Sequence, residues 1–419
     1  MAAEIVNLDL HTLTADQQVE KLKRQFLRQR GNGAVVRALA GALPVRQYIS
    51  MLERAYRVTR EREDDNFVLV LRPDGSMPRL GLRGAHSIAS DGNGRVYSST
   101  TSNRVAVIDG ASRKVLKHLA VGNDPSHLEL SHDGGRLYVA NTGSNDVTII
   151  NTMTDEVMAN APCGQRPLLP CVACNGDAVY LPSGPDQSVT VLDAEGRRRA
   201  TIPVGLAPHD IAGSPDGHWA YQPNSASHTV TVIDAHDNSL AGEIQVGLGP
   251  SHIAFDHESR FAYVANTVSD DVAVISTDNH EVIAKIPAGK GAHLPALSPD
   301  DCYGYVANFA SDDLIVWDCR THCVVAAIPV GIYPHFFAPS PDGKWLVVSN
   351  TGESSVCIID TREHKTRACL KVGGAPAHLA FSPDNELAFV ACERTDEIAV
   401  IELGRQSVLQ TVQAGGQPN

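Results

Sequence analysis

Seven histidines recur along the sequence at a nearly fixed interval, each one or two residues after a proline or its equivalent: His86, His127, His209, His252, His293, His335 and His378. Neutral imidazole is a favoured protein ligand for copper, iron and zinc, and three or four that converge leave an open position for a substrate or dioxygen. Aligned on the preceding turn, they fall into two adjacent columns. His86, His127, His252 and His378 lie two residues after the proline-like position and are the expected ligands of a transition metal, copper or iron. His209, His293 and His335 lie one residue after it, and are expected to supply acid and base catalysis or to hold a second ion. His252 also fits the second group, because a wide channel would keep it from the first three. Duplication offers a structural alternative for all seven, in which each imidazole bonds a neighbouring loop carbonyl.

Weaker candidates surround the ring. Cys171-Val-Ala-Cys174 has the spacing of a metal or redox pair, although two small buried side chains read the same way. Asp124 and Asp210 flank the ring and can orient imidazoles as hydrogen-bond acceptors, although ordinary solvated loop residues are the expected reading. His132, His218, His228, His236, His257, His280, His322 and His364 fall in turns and read as surface. No Walker loop, Gly-x-Ser-x-Gly elbow or His-Glu-x-x-His motif is present.

The elements that position these residues form a repeat. Anchored on Tyr97, Tyr138, Tyr180, Tyr221, Tyr263, Tyr305, Val347 and Phe389, the intervals are 41, 42, 41, 42, 42, 42 and 42 residues, which makes eight units between about residues 84 and 415. Each holds four short β-rich runs, such as HLELS, RLYVAN, DVTIIN and EVMANAP in the second. Ser-Pro-Asp-Gly turns (Ser214 to Gly217, Ser340 to Gly343) separate the runs, pairing a proline-set φ with a glycine that accepts positive φ. Four strands at this period spell a propeller blade, so the expected fold is mainly β, an eight-bladed β-propeller over residues 84–419. The loop entering the first, innermost strand of each blade would line the channel mouth, which is where the histidines lie. The Asn of the Tyr-Val-Ala-Asn steps (Asn141, Asn224, Asn266, Asn308, Asn350) is expected to close turns by bonding backbone.

Tyr263-Val-Ala-Asn266, Tyr305-Val-Ala-Asn308, the Ser-Pro-Asp-Gly turns and the Ile-Asp steps ending at Asp109, Asp234 and Asp360 resemble the YVTN-type repeats that also build the haem d1 domain of cytochrome cd1 nitrite reductases. The resemblance implies the propeller fold, and it raises a haem d1-type tetrapyrrole as an alternative cofactor with one ring histidine as axial ligand.

Residues 1–74 stand outside the repeat and read as strand, helix, strand, helix, strand, strand, a small α+β domain, with residues 75–83 as linker. Thr14 and Gln17 form a capping box, Val19, Leu22 and Phe26 line the first helix (15 to 30), and Pro44 opens the second (44 to 55). This order resembles the sulfur-carrier fold of the TusA/SirA kind, but no Cys precedes Cys163, so sulfur transfer is not expected and a protein partner is. Residues 66–72 are assigned to this domain rather than to a blade.

Charge and composition narrow the function classes. Of the net charge of −13, residues 1–74 carry +2 and the remainder −15, which disfavours nucleic acid as a partner. No apolar run is long enough to span a membrane, and no basic-then-apolar leader opens the sequence. Nine Cys with no such leader point to reduced thiols and a cytoplasmic location. Three functions follow: a copper- or iron-dependent oxidoreductase acting on a small substrate in the channel, a protein that binds or matures a haem d1-type tetrapyrrole, and a non-enzymatic propeller scaffold.

Overall fold

The computed structural model describes residues 87–415 apart from 92, 174, 175 and 177, and the backbone of four earlier strands, Glu4–Leu8, Ala34–Ala38, Val58–Glu63 and Asn66–Leu71. The chain divides into two compact units, Met1–Leu82 and Arg83–Asn419. In the first, the four strands form one sheet in which Glu4–Leu8 runs parallel to Ala34–Ala38 and the other pairings are antiparallel. Asn66–Leu71 therefore belongs to this sheet and to no blade. The helices expected at 15 to 30 and 44 to 55, and the linker at 75–83, lie outside the described residues.

The second unit is an eight-bladed propeller. Its four-stranded sheets span residues 88–120, 125–162, 171–203, 212–245, 250–287, 292–329, 334–371 and 376–413. Within each sheet, strands adjacent in sequence are neighbours, and the first strands of successive blades pack together as the innermost layer. Second and third strands are buried along nearly their whole length, as in Tyr303–Asn308 and Asp313–Asp318. That matches their near-continuous apolar runs, since a strand covered on both faces has no solvated side to alternate toward. Fourth strands such as Glu281–Pro287 alternate and keep one face in water. The repeat anchors Tyr97, Tyr138, Tyr180, Tyr221, Tyr263, Tyr305 and Phe389 are all at most 1% exposed, each filling the space between neighbouring sheets. Turn chemistry sets the register: the Ser214 hydroxyl donates to Asp216 at 2.5 Å and accepts from the Trp219 amide at 2.9 Å, while Gly217 sits at φ 75°.

Several expectations change in the structure. His280, His322 and His364 are not surface residues. Each sits half-buried at positive φ in the turn between third and fourth strands and packs on aromatic rings of the preceding blade. The Tyr221 hydroxyl bonds His280 Nδ1 at 2.6 Å, and Asn238, at the same turn position one blade earlier, accepts from Tyr180 at 3.0 Å. His228 is also half-buried, and its Nδ1 accepts from the Gly249 amide at 3.1 Å. His132, His218, His236 and His257 are exposed as expected. The blade asparagines bond chiefly side chains at the start of the next strand: Asn141 donates to Asp146 and Thr148, Asn224 to Thr229 and Thr231, and Asn350 to Ser355. Hydroxyl and carboxylate acceptors placed five and seven residues on outcompete the turn backbone.

Cys357 and Cys369 face each other across the third and fourth strands of blade seven and form a disulfide, so the expectation of reduced thiols fails for this pair. Cross-strand neighbours bring their Cβ atoms within reach of a bond that spacing alone does not reveal. Among the described residues no helix is long and apolar enough to cross a membrane.

Blades one and eight meet without sharing a strand. Ile88, Val96, Ala106 and Ile108 pack against Phe389, Ala391, Ile398 and Val400, and polar bonds flank this seam. Thr101 donates to Asp396 at 3.0 Å, His118 Nε2 to the Ala414 carbonyl at 2.7 Å and Gln410 to the Arg113 carbonyl at 2.9 Å.

Candidate functional site

A β-bulge in the innermost strand explains why the histidines occupy two columns. In blade two, Pro125 pairs with Asn141 and His127 with Ala140, leaving Ser126 as an extra residue. In blades six and seven the extra residue is itself a histidine, since Ala292 and Leu294 flank His293 in the pairing, and Pro334 and Phe336 flank His335. In blade five, two residues, Ser251 and His252, stand between the pairs Pro250↔Asn266 and Ile253↔Val264. One column is thus the first residue of the bulge and the other the second. A flat strand would send neighbouring side chains to opposite faces, whereas a bulge re-aims them.

Ring contacts show that both columns enter one space. His252 lies 4.7 Å from His209 and 4.4 Å from His293 between ring centroids, and His293 lies 5.5 Å from His335. Aromatic rings continue this arc: Phe309 stands 5.1 Å from Tyr333 in a stacked pair, and Tyr333 stacks parallel to His335 at 6.4 Å. A second group joins His127 to His378 at 5.3 Å, with Phe336 stacked on His378 at 4.3 Å. The structure therefore brings His252 together with His209, His293 and His335. His86 lies outside the described residues.

Burial governs the charge of the arc. It lowers the pKa of His209 to about 4 and drives that of His252 well below the usual imidazole value, where the neighbouring His293, His209 and His335 add to the effect. Both rings are neutral at physiological pH. His252 Nδ1 lies 3.2 Å from the His293 carbonyl, which only accepts, so Nδ1 carries the proton and Nε2 presents its lone pair. The Ser251 hydroxyl donates to the same carbonyl at 2.8 Å and fixes it. His209 Nδ1 is buried with no hydrogen-bond partner. Among the described residues no three His, Cys, Asp or Glu side chains stand together in a way that would hold a metal ion.

Two acidic groups belong to the same innermost layer, Glu129 on the strand Pro125–Leu130 and Asp210 just before Ala212–Gly213. Burial pushes Asp210 up to about 7, and burial together with the charge of Asp210 pushes Glu129 up to about 7. Asp210 Oδ1 has no partner, so this oxygen orients no imidazole, and Asp124 is exposed. Cys171 lies on the two-residue inner strand of blade three, and Cys174 is outside the described residues. Phe309, Tyr333, Phe336 and Glu129 were not among the sequence candidates. The one signal for Glu129 is a departure from the repeat, because the corresponding residue is Ala in blades four to eight.

Fold and site together define a repeat-built β-propeller with a cluster of imidazole and aromatic rings on its innermost layer. A family model described as lactonase, 7-bladed β-propeller, matches residues 183–364 and 330–415, more than half of the sequence, and the chain belongs to that family. It builds eight blades where the description gives seven. Among solved structures it is similar to dihydro-haem d1 dehydrogenase NirN in complex with DHE, at 16% identity and a TM-score of 0.67 over 78% of this chain and 75% of that one. It is similar also to hydrazine synthase of Kuenenia stuttgartiensis, at 20% identity and a TM-score of 0.57 over 67% of this chain and 95% of that one. A third similar structure is the mitotic checkpoint complex, at 16% identity and a TM-score of 0.56 over 64% of this chain and 85% of that one. At these identities the likeness is one of fold. No curated protein matches the sequence.

Proposed function

We propose that the channel mouth binds a tetrapyrrole of the haem d1 type, whose iron His252 would hold. The observation that carries this reading is the state of His252: its Nδ1–H is held by the His293 carbonyl, and Nε2 is a neutral donor within an arc of imidazole and aromatic rings. A metal-ligating histidine commonly has its other nitrogen fixed in this way. Phe336, half-buried and stacked on His378, offers a flat apolar ring, and Phe309 and Tyr333 are buried against the imidazole arc. The likeness in fold to dihydro-haem d1 dehydrogenase NirN, solved in complex with DHE, supports this class of cofactor. When bound, such a group supplies a redox-active iron, while the chain's own part is to hold it, keep its ligand unprotonated and exclude water.

Adding haem d1 and, separately, protohaem to the purified full chain tests this. One equivalent should bind with a shifted Soret band, and His252→Ala should weaken binding at least tenfold or abolish the shift, while His127→Ala leaves it in place. Retention of the wild-type spectrum by His252→Ala overturns the assignment.

The second reading is a copper or iron centre held by His86, His127, His252 and His378, with His209, His293 and His335 as catalytic groups in an oxidoreductase. Residue types support it. Stoichiometric copper or iron without a Soret band would favour it over the tetrapyrrole.

A further inference from the structure

Eight near-copies of one blade make the exceptions informative. One position of the second strand, directly after the anchor residue, is Val139, Val264, Val306, Val348 and Val390 in five blades and Gln222 in blade four. Gln222 is fully buried, and its amide is oriented without ambiguity, because Nε2 donates to the carbonyls of Asp210 and Pro223 at 2.8 Å each. Oε1 is left buried with no partner. Asp210 stands at the position, eleven residues before the anchor, that His127, His252 and His378 occupy in their blades. It is 8% exposed, and its Oδ1 also lacks a partner. Glu129 takes a place that is Ala212, Ala254, Ala296, Ala338 and Ala380 elsewhere.

These departures are alike in chemistry. Each installs a hydrogen-bond acceptor, and for Gln222 Oε1 and Asp210 Oδ1 no donor accompanies it. Glu129 senses the charge of Asp210, and no Lys or Arg among the described residues is a cause of the shift of either. Buried acceptors are normally paired, so unpaired ones gathered by exceptions to a repeat mark a place built for a donor brought from outside.

We propose that Glu129, Asp210 and Gln222 form a binding site for an ammonium-type cation, either free ammonium or the primary ammonium group of a small channel ligand. Its N–H donors match the unpartnered acceptors Gln222 Oε1 and Asp210 Oδ1, and its positive charge suits a place with two carboxylates. A metal ion is the poorer occupant, since no three metal-ligating side chains converge among the described residues. The site needs neither iron nor macrocycle and stands independently of the tetrapyrrole reading.

Calorimetric titration of the haem-free full chain with ammonium chloride, methylammonium chloride, potassium chloride and magnesium chloride at constant ionic strength tests the proposal. Saturable binding of ammonium or methylammonium at one equivalent, at least tenfold tighter than potassium or magnesium, is expected. Preference for methylammonium identifies a substituted amine as the natural occupant, and preference for ammonium identifies the free ion. Asp210→Asn should weaken binding at least tenfold. Gln222→Val, which restores the residue of five other blades and so folds, should weaken it severalfold, while the exposed-loop control Asp124→Asn leaves it unchanged. Absence of saturable ammonium or methylammonium binding, tighter binding of potassium or magnesium, or an unchanged affinity in Asp210→Asn and Gln222→Val overturns the proposal.

Discussion

His209 and Asp210 are adjacent in sequence, and the same burial drives their proton affinities in opposite directions. Unfolded, the imidazole takes its proton near 6.5, whereas in the fold it does so only at about 4. As the pH falls through this window the unfolded chain binds more protons, so His209 costs stability on acidification. Asp210 reverses the sign. Between its usual 3.8 and about 7 the folded chain keeps a proton that the unfolded chain has released, so stability falls as the pH rises through that range. Asp210→Asn should therefore gain thermal stability relative to the wild type progressively from pH 4 to 7 and level off above, by an order of a few degrees. His209→Asn should gain instead as the pH drops from 6.5 to 4. Melting curves taken across pH 4 to 8 check both, and a pH-independent difference in either variant would contradict the burial argument. The histidines were legible in the sequence because they repeat. Glu129 and Gln222 were not, because a search for recurrence passes over residues that break it.

At the scale of elements, the spacing of the anchors reveals every blade but not the bulge. Register belongs to a pair of strands, and the sequence of one strand shows only a shift by one residue, here the two histidine columns. The turn histidines were misread for a related reason: a residue at positive φ projects toward whatever lies beside the turn, which in a propeller is the preceding blade. The Tyr221 to His280 bond is one such tie between blades four and five. Removing the hydroxyl in Tyr221→Phe should lower the free energy of unfolding by about 1 kcal/mol, measured in urea, since it deletes one partly buried hydrogen bond and leaves the ring packing. A second tie is steric. Trp317 fills a place that is Ile108, Ile150, Ile233, Ile275, Ile359 and Ile401 in other blades, and the facing Gly304 makes room for it, because a Cβ there would collide with the indole. Gly304→Ala should cost roughly 1–3 kcal/mol through overpacking, and Gly304→Ala with Trp317→Ile should recover most of the loss.

The whole ring has one place where chain connectivity gives no help. Every other pair of neighbouring blades is joined by a loop as well as by packing, while blades one and eight are joined by packing and side-chain bonds alone. The count of eight units, each with its own fourth strand, already indicated closure without a shared strand. What spacing could not give was the set of residues that carry it, because the two blades lie at opposite ends of the repeat. Phe389, 1% exposed, is the largest side chain of the seam cluster. Phe389→Ala should cost roughly 3–5 kcal/mol, the range for emptying a core of a buried ring. Phe337→Ala, an equally buried ring between blades six and seven, should cost a similar amount. The two should differ in how the ring opens. Without Phe389 the seam separates while the rest stays folded, so limited proteolysis under native conditions should cut first within blades one and eight. Without Phe337 the connecting loop keeps the blades together, and cleavage should follow global unfolding. Identical cleavage patterns in the two variants would show that the loops, and not the packing, are irrelevant to where the ring yields, and that the seam is no weaker than any other junction.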